Sequence, residues 1–220
     1  MRQFYLLIEK GATLWHQLSW SHYKILITIH NIDKLNYYSK ISIENNLTVR
    51  QLEKRIKLQE YERLPIKTRN KLINNEDNKI EDFIKNPIII HNKNNYEIIS
   101  EKILQKIILE DIEAFMKELG NNLSFIGSEY KIKIGNNYNY IDLLFFNIEF
   151  NCYTVVELKV TSLKKEHIGQ IEIYMNCIDN NLRKNNMDKT IGIIIVKKDN
   201  KYIMEYCSDK RILSKEFIIT

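Results

Sequence analysis

The run CYTVVELKV, residues 152–160, most constrains what this chain can become: it is apolar on both faces of an extended strand, yet it carries a carboxylate and an ammonium. Side chains alternate along a strand, so Tyr153, Val155, Glu157 and Lys159 share one face and Thr154, Val156, Leu158 and Val160 the other. Burying Glu157 and Lys159 there is costly unless they are paired or bound to a metal. Asp142 interrupts the equally apolar YIDLLFF, and a hairpin joining the two strands lets it approach Glu157 across the sheet.

Two carboxylates brought together repel and raise each other's pKa unless a divalent cation stands between them. An oxygen-only set suits Mg²⁺ or Mn²⁺, which keep several waters and accept phosphate oxygens as further ligands. Lys159 is placed to orient or help deprotonate water and to stabilise a pentavalent phosphate. The implied reaction is phosphodiester hydrolysis; a structural ion pair at the sheet rim, or plain surface charges, are the alternatives. The bare pattern is weak, because Asp111 followed by Glu129-Tyr130-Lys131 repeats it. That second set has its first acid in helical text and its triplet in a more polar strand. Only the Asp142 set combines consecutive apolar strands with hairpin spacing.

The neighbouring text predicts a helix from Ser100 or Glu101 to Leu119, closed by Gly120, with a stripe of Leu104, Ile107, Ile108, Ile112, Phe115 and Leu119. SFIGSEYKIKI, YNYIDLLFF and CYTVVELKV then read as strands, the first two joined at Gly135-Asn136-Asn137 and the next two near Asn147. KKEHIGQIEIYMNCIDNN returns to helical spacing, and IGIIIV and KYIMEYC follow as strands. The order α-β-β-β-α-β-β predicts an α/β domain over residues 101–220, built on a mixed sheet. At about 100° per residue, Asp111 and Glu118 fall at the margin of the first helix's apolar stripe. Glu118, nearer the strands, is the candidate further acid, with a rim carboxylate as its alternative. On the second helix Gln170 and Tyr174 stack on one face, and Gly169 allows close approach to the sheet. Lys164 and Lys165 sit at its start, where backbone N–H groups attract phosphate. His167 is the histidine nearest the set in sequence, and a lone histidine is more often solvated than catalytic.

Residues 1–85 predict a small all-helical domain with starts at Ser19, Asp33 and Thr48. Thr48 with Gln51 makes a capping-box pattern, and Val49, Leu52 and Ile56 follow at helical spacing. Arg50, Lys54, Arg55 and Lys57 cover much of that helix's remaining surface, which could meet phosphates or simply face water. Polar, Asn/Lys-rich text runs from Pro65 to Asn95, and a linker is expected over 86–100.

Composition narrows the functional classes. With 44% hydrophobic and 28% charged residues, the chain reads as ordinary globular protein. Its net charge of +5, from 33 basic and 28 acidic residues, permits a polyanionic partner without demonstrating one. Cys152, Cys177 and Cys207 lack zinc or redox spacing and are expected to be reduced core residues. No apolar run approaches the ~18–20 residues of a membrane span, and MRQFYLLIEKGATLW lacks the features of a signal peptide, so a cytoplasmic location without membrane attachment is expected.

Taken together, FMKELGNNLSFIGSEYKIKIGNNYNYIDLLFFN, CYTVVELKV, GQIEIYMNCID and IGIIIVKKD resemble the YhcG-like family of PD-(D/E)XK nucleases, over roughly Leu104 to Tyr206. The resemblance implies a restriction-endonuclease-like core in which Asp142, Glu157 and Lys159 match the signature acids and lysine. Glu118 matches the acid of the helix-ending ELG, and Gln170 with Tyr174 matches a Q-x-x-x-Y element. Ile141 stands where the signature has proline. MRQFY, QLSWSHYKIL and LTVRQLEKRI resemble the same family's helical domain, thought to bind nucleic acid or a partner. Family members carry a further helical stretch before it, so a shortened copy is implied. The expected function is a divalent-metal-dependent endonuclease using Mg²⁺ or Mn²⁺, with DNA as its substrate and a homodimer left open. A nuclease fold that binds without cutting and a helical protein-interaction module are the competing readings.

Overall fold

The computed structural model describes residues 18–66, 68, 69, 71, 82, 84–120 and 122–220. The chain divides into two compact units, Met1–Asn78 and Lys79–Thr220. The MRQFY segment and most of the Asn-rich text, at 72–81, lie outside the described residues.

In the first unit, α1 (Trp20–Leu26), α2 (Ile32–Glu44), α3 (Val49–Lys57) and the short α4 (Glu60–Arg63) surround a core that includes Leu26, Tyr38 and Leu52. Thr48 caps α3 through the expected box with Gln51. The start expected at Asp33 falls at Asn31, whose side chain accepts from the Lys34 N–H at 2.9 Å. Burial of Tyr38 is matched by hydrogen bonds, since its hydroxyl donates to the Arg55 carbonyl and accepts from the Tyr61 N–H.

The second unit is a six-stranded mixed sheet in the order β1-β6-β5-β4-β3-β2, formed by β1 (Ile88–Ile90), β2 (Leu123–Ile134), β3 (Asn137–Asn147), β4 (Cys152–Ser162), β5 (Ile191–Lys198) and β6 (Ile212–Ile219). The strands β2, β3 and β4 form an antiparallel meander, and β4, β5, β6 and β1 pair in parallel. Helices α5 (Glu101–Glu110) and α6 (Ile112–Leu119) contribute to one core with Leu143, Phe145, Val156 and Leu158. Helix α7 (Lys165–Asn181) packs into a second with Leu144, Val155 and Ile194. Val155 and Val156 therefore face opposite cores, which is why β4 is apolar on both faces. With this fold the restriction-endonuclease-like expectation holds.

Three sequence expectations need correction. The expected linker over 86–100 contains β1, whose Ile88 and Ile90 are buried; a three-residue run is too short to show a period. KYIMEYC is not a strand: Asn200 caps a helix, α8 (Lys201–Glu205), by accepting from the Ile203 N–H, and Ile203 and Met204 pack on the α7-side core. The strand that follows β5 is instead ILSKEFII, paired between β5 and β1, whose Lys215 and Glu216 hid it. The helix expected over 100–119 breaks at Asp111, which adopts φ −141° and caps α6 by accepting from the Ala114 N–H.

Gly192 on β5 lets α7 approach the sheet closely, since a Cβ there would stand 2.5 Å from Met175 Sδ and 2.9 Å from Ile171 Cδ1. Gly192→Ala should therefore lose about 1–3 kcal/mol by overpacking, outweighing the ~0.4–1 kcal/mol that chain stiffening returns. Urea unfolding followed by circular dichroism measures the loss, and adding Met175→Ala should recover part of it.

Candidate active site

The register between β3 and β4 runs from Asn147–Cys152 to Leu143–Val156 and stops there. One residue beyond, the Leu158 N–H donates to Asp142 Oδ2 at 2.7 Å, so a carboxylate takes a hydrogen bond that a partner strand's carbonyl would otherwise receive. Gln105 on α5 donates through Nε2 to the Asp142 carbonyl at 2.9 Å, fixing the backbone from the helix side. Asp142 is thus held where the strands part.

Glu157 sits beside it, 2% exposed, with Oε1 accepting from Lys159 Nζ at 2.9 Å. Its second oxygen, Oε2, is buried and has no hydrogen-bond partner among the described residues. An unpartnered buried carboxylate oxygen is costly and asks for a ligand. Burial, then the Asp142 charge, pushes the Glu157 carboxyl up from 4.5 to about 7. Asp142 is also raised, first by burial, with the Leu158 hydrogen bond and Lys159 opposing and Glu101 and Glu129 adding repulsion. Burial works against the Lys159 charge, but Glu157, Glu101 and Asp142 outweigh it and leave the lysine raised. Lys159 is therefore a firm cation at neutral pH.

Asp142, Glu157 and Lys159 come together as expected from their spacing, but Glu118 does not join them. Its Oε2 accepts from the Ile89 N–H at 3.0 Å and its Oε1 lies 3.4 Å from Lys85 Nζ, so it anchors β1. Its place beside Phe115 and Leu119 is as the helical wheel had it, but the end of α6 lies against β1, away from β3 and β4. The carboxylate that α5 delivers is Glu101, at the helix start, 3.5 Å from Lys159 Nζ. Glu129, set aside with its triplet, is also near: Ser128 pairs with Leu143 and Tyr130 with Ile141, leaving Glu129 opposite Asp142 with φ 47°. Counting back from the two-residue turn at Gly135-Asn136 would have found it.

Gln170 Nε2 donates to the Tyr174 hydroxyl at 3.0 Å, and Tyr174 is buried in the α7-side core. Among the described residues no hydrogen bond links this pair to the acids. His167 is buried, not solvated; its Nδ1 accepts from the Lys164 N–H at the start of α7, and burial followed by Lys159 and Lys164 lowers its pKa. Lys164 and Lys165 are exposed there. In the first unit Arg50, Lys54 and Lys57 are exposed, while Arg55 is paired with Glu60 at 3.2 Å.

The donor set fits a cation held by few protein ligands. Among the described residues no three His, Cys, Asp or Glu side chains form a metal-binding group. Two carboxylates, one with a buried oxygen open among the described residues, suit a hard divalent cation that keeps most of its waters.

Fold and site together define a nuclease domain of the PD-(D/E)XK class. The family described as YhcG PDDEXK nuclease domain matches residues 81–219, and the chain belongs to it. A second family, DUF1016 N-terminal domain, matches residues 1–63. The curated Escherichia coli (strain K12) protein named "Putative nuclease YhcG" is 26% identical over 198 residues, covering 84% of this chain and 53% of its own length. The chain thus spans about half of that relative. Among solved structures, a repair endonuclease from Pyrococcus abyssi aligns with a TM-score of 0.40 and 17% identity over 56% of this chain and 48% of its own. An EndoMS–dsDNA2 complex aligns at 0.38 and 18%, over 57% and 48%.

The Glu157 carboxyl, raised in the folded state, makes metal-free stability depend on pH. Below pH 4.5 it is protonated folded and unfolded, and it contributes nothing; between 4.5 and about 7 the folded chain holds the proton more tightly, so stability falls as pH rises. Wild type in chelator should accordingly lose melting temperature from pH 5 to 7.5, more steeply than Glu157→Gln. Equal pH profiles for the two proteins would show that Glu157 carries no such strain.

Proposed function

We propose that the C-terminal unit is a divalent-metal-dependent endonuclease that hydrolyses phosphodiester bonds in DNA. The observation that carries this reading is the buried Glu157 Oε2, without a partner among the described residues, beside Asp142 and Lys159. A charge left in that state is tolerable when a cation is expected to meet it.

Asp142 and Glu157 would hold Mg²⁺ or Mn²⁺, which when bound supplies Lewis-acid stabilisation of the phosphate and a more acidic water. Lys159 stays protonated, so its contribution is electrostatic: its ammonium, steered by Glu157 and Glu101, offers donors to a phosphate oxygen as negative charge builds. Gln105 and the Leu158 N–H keep Asp142 from rotating away. Glu101 takes the place that the helical wheel gave to Glu118. Gln170 and Tyr174 remain in the reading through the family pattern, bracing α7 by their mutual hydrogen bond. Lys164 and Lys165 at the α7 start would grip the backbone beside the site. Arg50, Lys54 and Lys57 would add contacts from the helical unit; Arg55, held by Glu60, is the weakest of that group.

The test is cleavage of DNA and RNA substrates with Mg²⁺ and Mn²⁺. Asp142→Asn, Glu157→Gln and Lys159→Ala should each reduce cleavage about 10²–10³-fold or more while keeping the wild-type circular dichroism spectrum. Calorimetric titration with Mg²⁺ should show binding lost in Asp142→Asn and kept in Glu118→Gln. A wild type that binds no divalent cation, or cuts equally well in chelator, defeats the proposal.

Phosphate binding is read separately from the salt dependence of DNA affinity in Ca²⁺. Lys164→Ala/Lys165→Ala should flatten the log-affinity versus log-salt slope by roughly 0.7–0.9 for every phosphate no longer neutralised. The same measurement on Lys54→Ala/Lys57→Ala reports the helical unit's share; an unchanged slope there removes α3 from the interface.

A further inference from the structure

Past Asp142 the β2–β3 hairpin continues outward with one face covered and the other bare. Ile132 and Ile141 are buried in the α7-side core, and Ile134 packs against it. The alternate residues, Lys131 and Lys133 on β2 and Tyr138 and Tyr140 on β3, lie on the opposite face and are exposed. Tyr138 is 57% exposed and Tyr140 53%. The register sets Lys131 opposite Tyr140 and Lys133 opposite Tyr138, and Lys131 Nζ stands 3.8 Å from the Tyr138 ring centre. Two rings and two ammonium groups are thus interleaved on one small patch. Tyr140 lies roughly 7 Å along the strand from Asp142 and Tyr138 about twice as far.

We propose that this hairpin face is a stacking track for unpaired DNA bases adjoining the scissile phosphate, so that the preferred substrate carries a single-stranded segment beside the cut. The inference rests on the nuclease reading for the position of that phosphate. The lysines complement phosphate charge, and the tyrosines present flat apolar surface to base faces. In a duplex those faces are already stacked on one another, so exposed rings gain nothing from paired bases. Asp142 lies where β3 turns over, since Ile141 packs in the α7-side core and Leu143 in the other, and the track leaves the site along β3 from that turn.

The test reads binding in Ca²⁺ by fluorescence anisotropy, using a blunt duplex, the same duplex with a DNA tail, and one with an RNA tail. Wild type should prefer the DNA tail. Tyr138→Ala and Tyr140→Ala should each weaken tailed-DNA binding about tenfold, the scale of one base stack, and leave the blunt duplex unchanged. Phenylalanine at either position should restore the tail preference. Because the rings are exposed, melting temperatures should match wild type, which separates lost binding from lost folding. Equal affinity for tailed and blunt duplex, or full tail preference in the double alanine variant, overturns the inference, as does preference for the RNA tail. Self-association through β2 that tyrosine loss abolishes, without any effect on DNA, overturns it in favour of a second copy. A protein that cuts nothing but shows the tyrosine-dependent preference refutes the nuclease reading alone; one that cuts DNA while ignoring the tyrosines refutes this inference alone.

Discussion

The hydrogen bond from the Leu158 N–H to the Asp142 carboxylate is the interaction on which the second unit's chemistry depends. It closes the end of a strand pair with a side chain in place of backbone, and so lets β3 leave β4 without abandoning a buried donor. The gap opened in this way is where Glu157 keeps an oxygen without a partner among the described residues. Without that bond, Asp142 would be free to turn toward water, and the repulsion that raises Glu157 would relax. The strain is local, but the apolar residues that impose it, Leu143, Val155, Val156 and Leu158, are the sheet's central packing. Core and site cannot be tuned independently.

Much of this was legible from residues alone. Alternation in YTVVELKV told which residues share a face, and the two cores divide them that way. Thr48 and Gln51 announced a helix start because capping is a local transaction between neighbours. What stayed hidden depended on distant parts of the chain. Ile88–Ile90 became a strand only because β6 offered an edge, and Lys201–Glu205 became a helix although its apolar letters suit either state. The most consequential loss was at Asp111. A single residue with a helix-capping side chain turned one expected helix into two; the apolar stripe on both sides of it still reaches one core, but the placement of Glu118 at the site did not survive. Glu118 was the casualty and Glu101 the residue overlooked.

The helix pair that results divides the labour. The first residues of α5 reach the site, through Glu101 and Gln105, whereas the end of α6 secures the opposite edge of the sheet, where Glu118 meets the Ile89 N–H and Lys85. Had the helix run straight, one rigid rod would have had to satisfy both places. The kink allows each half its own contact with the sheet.

The irregular course of β2 has a consequence of a different kind. It is an edge strand of twelve residues, and a straight edge of that length is a template on which another chain can add itself and begin to aggregate. Two breaks prevent a continuous template: the bulge between Phe125 and Gly127, and Glu129 turned to positive φ. Lys131 and Lys133 charge the remaining stretch. Among the described residues no strand pairs with the outer side of β2, and these breaks and charges shorten the run that a neighbouring chain could extend.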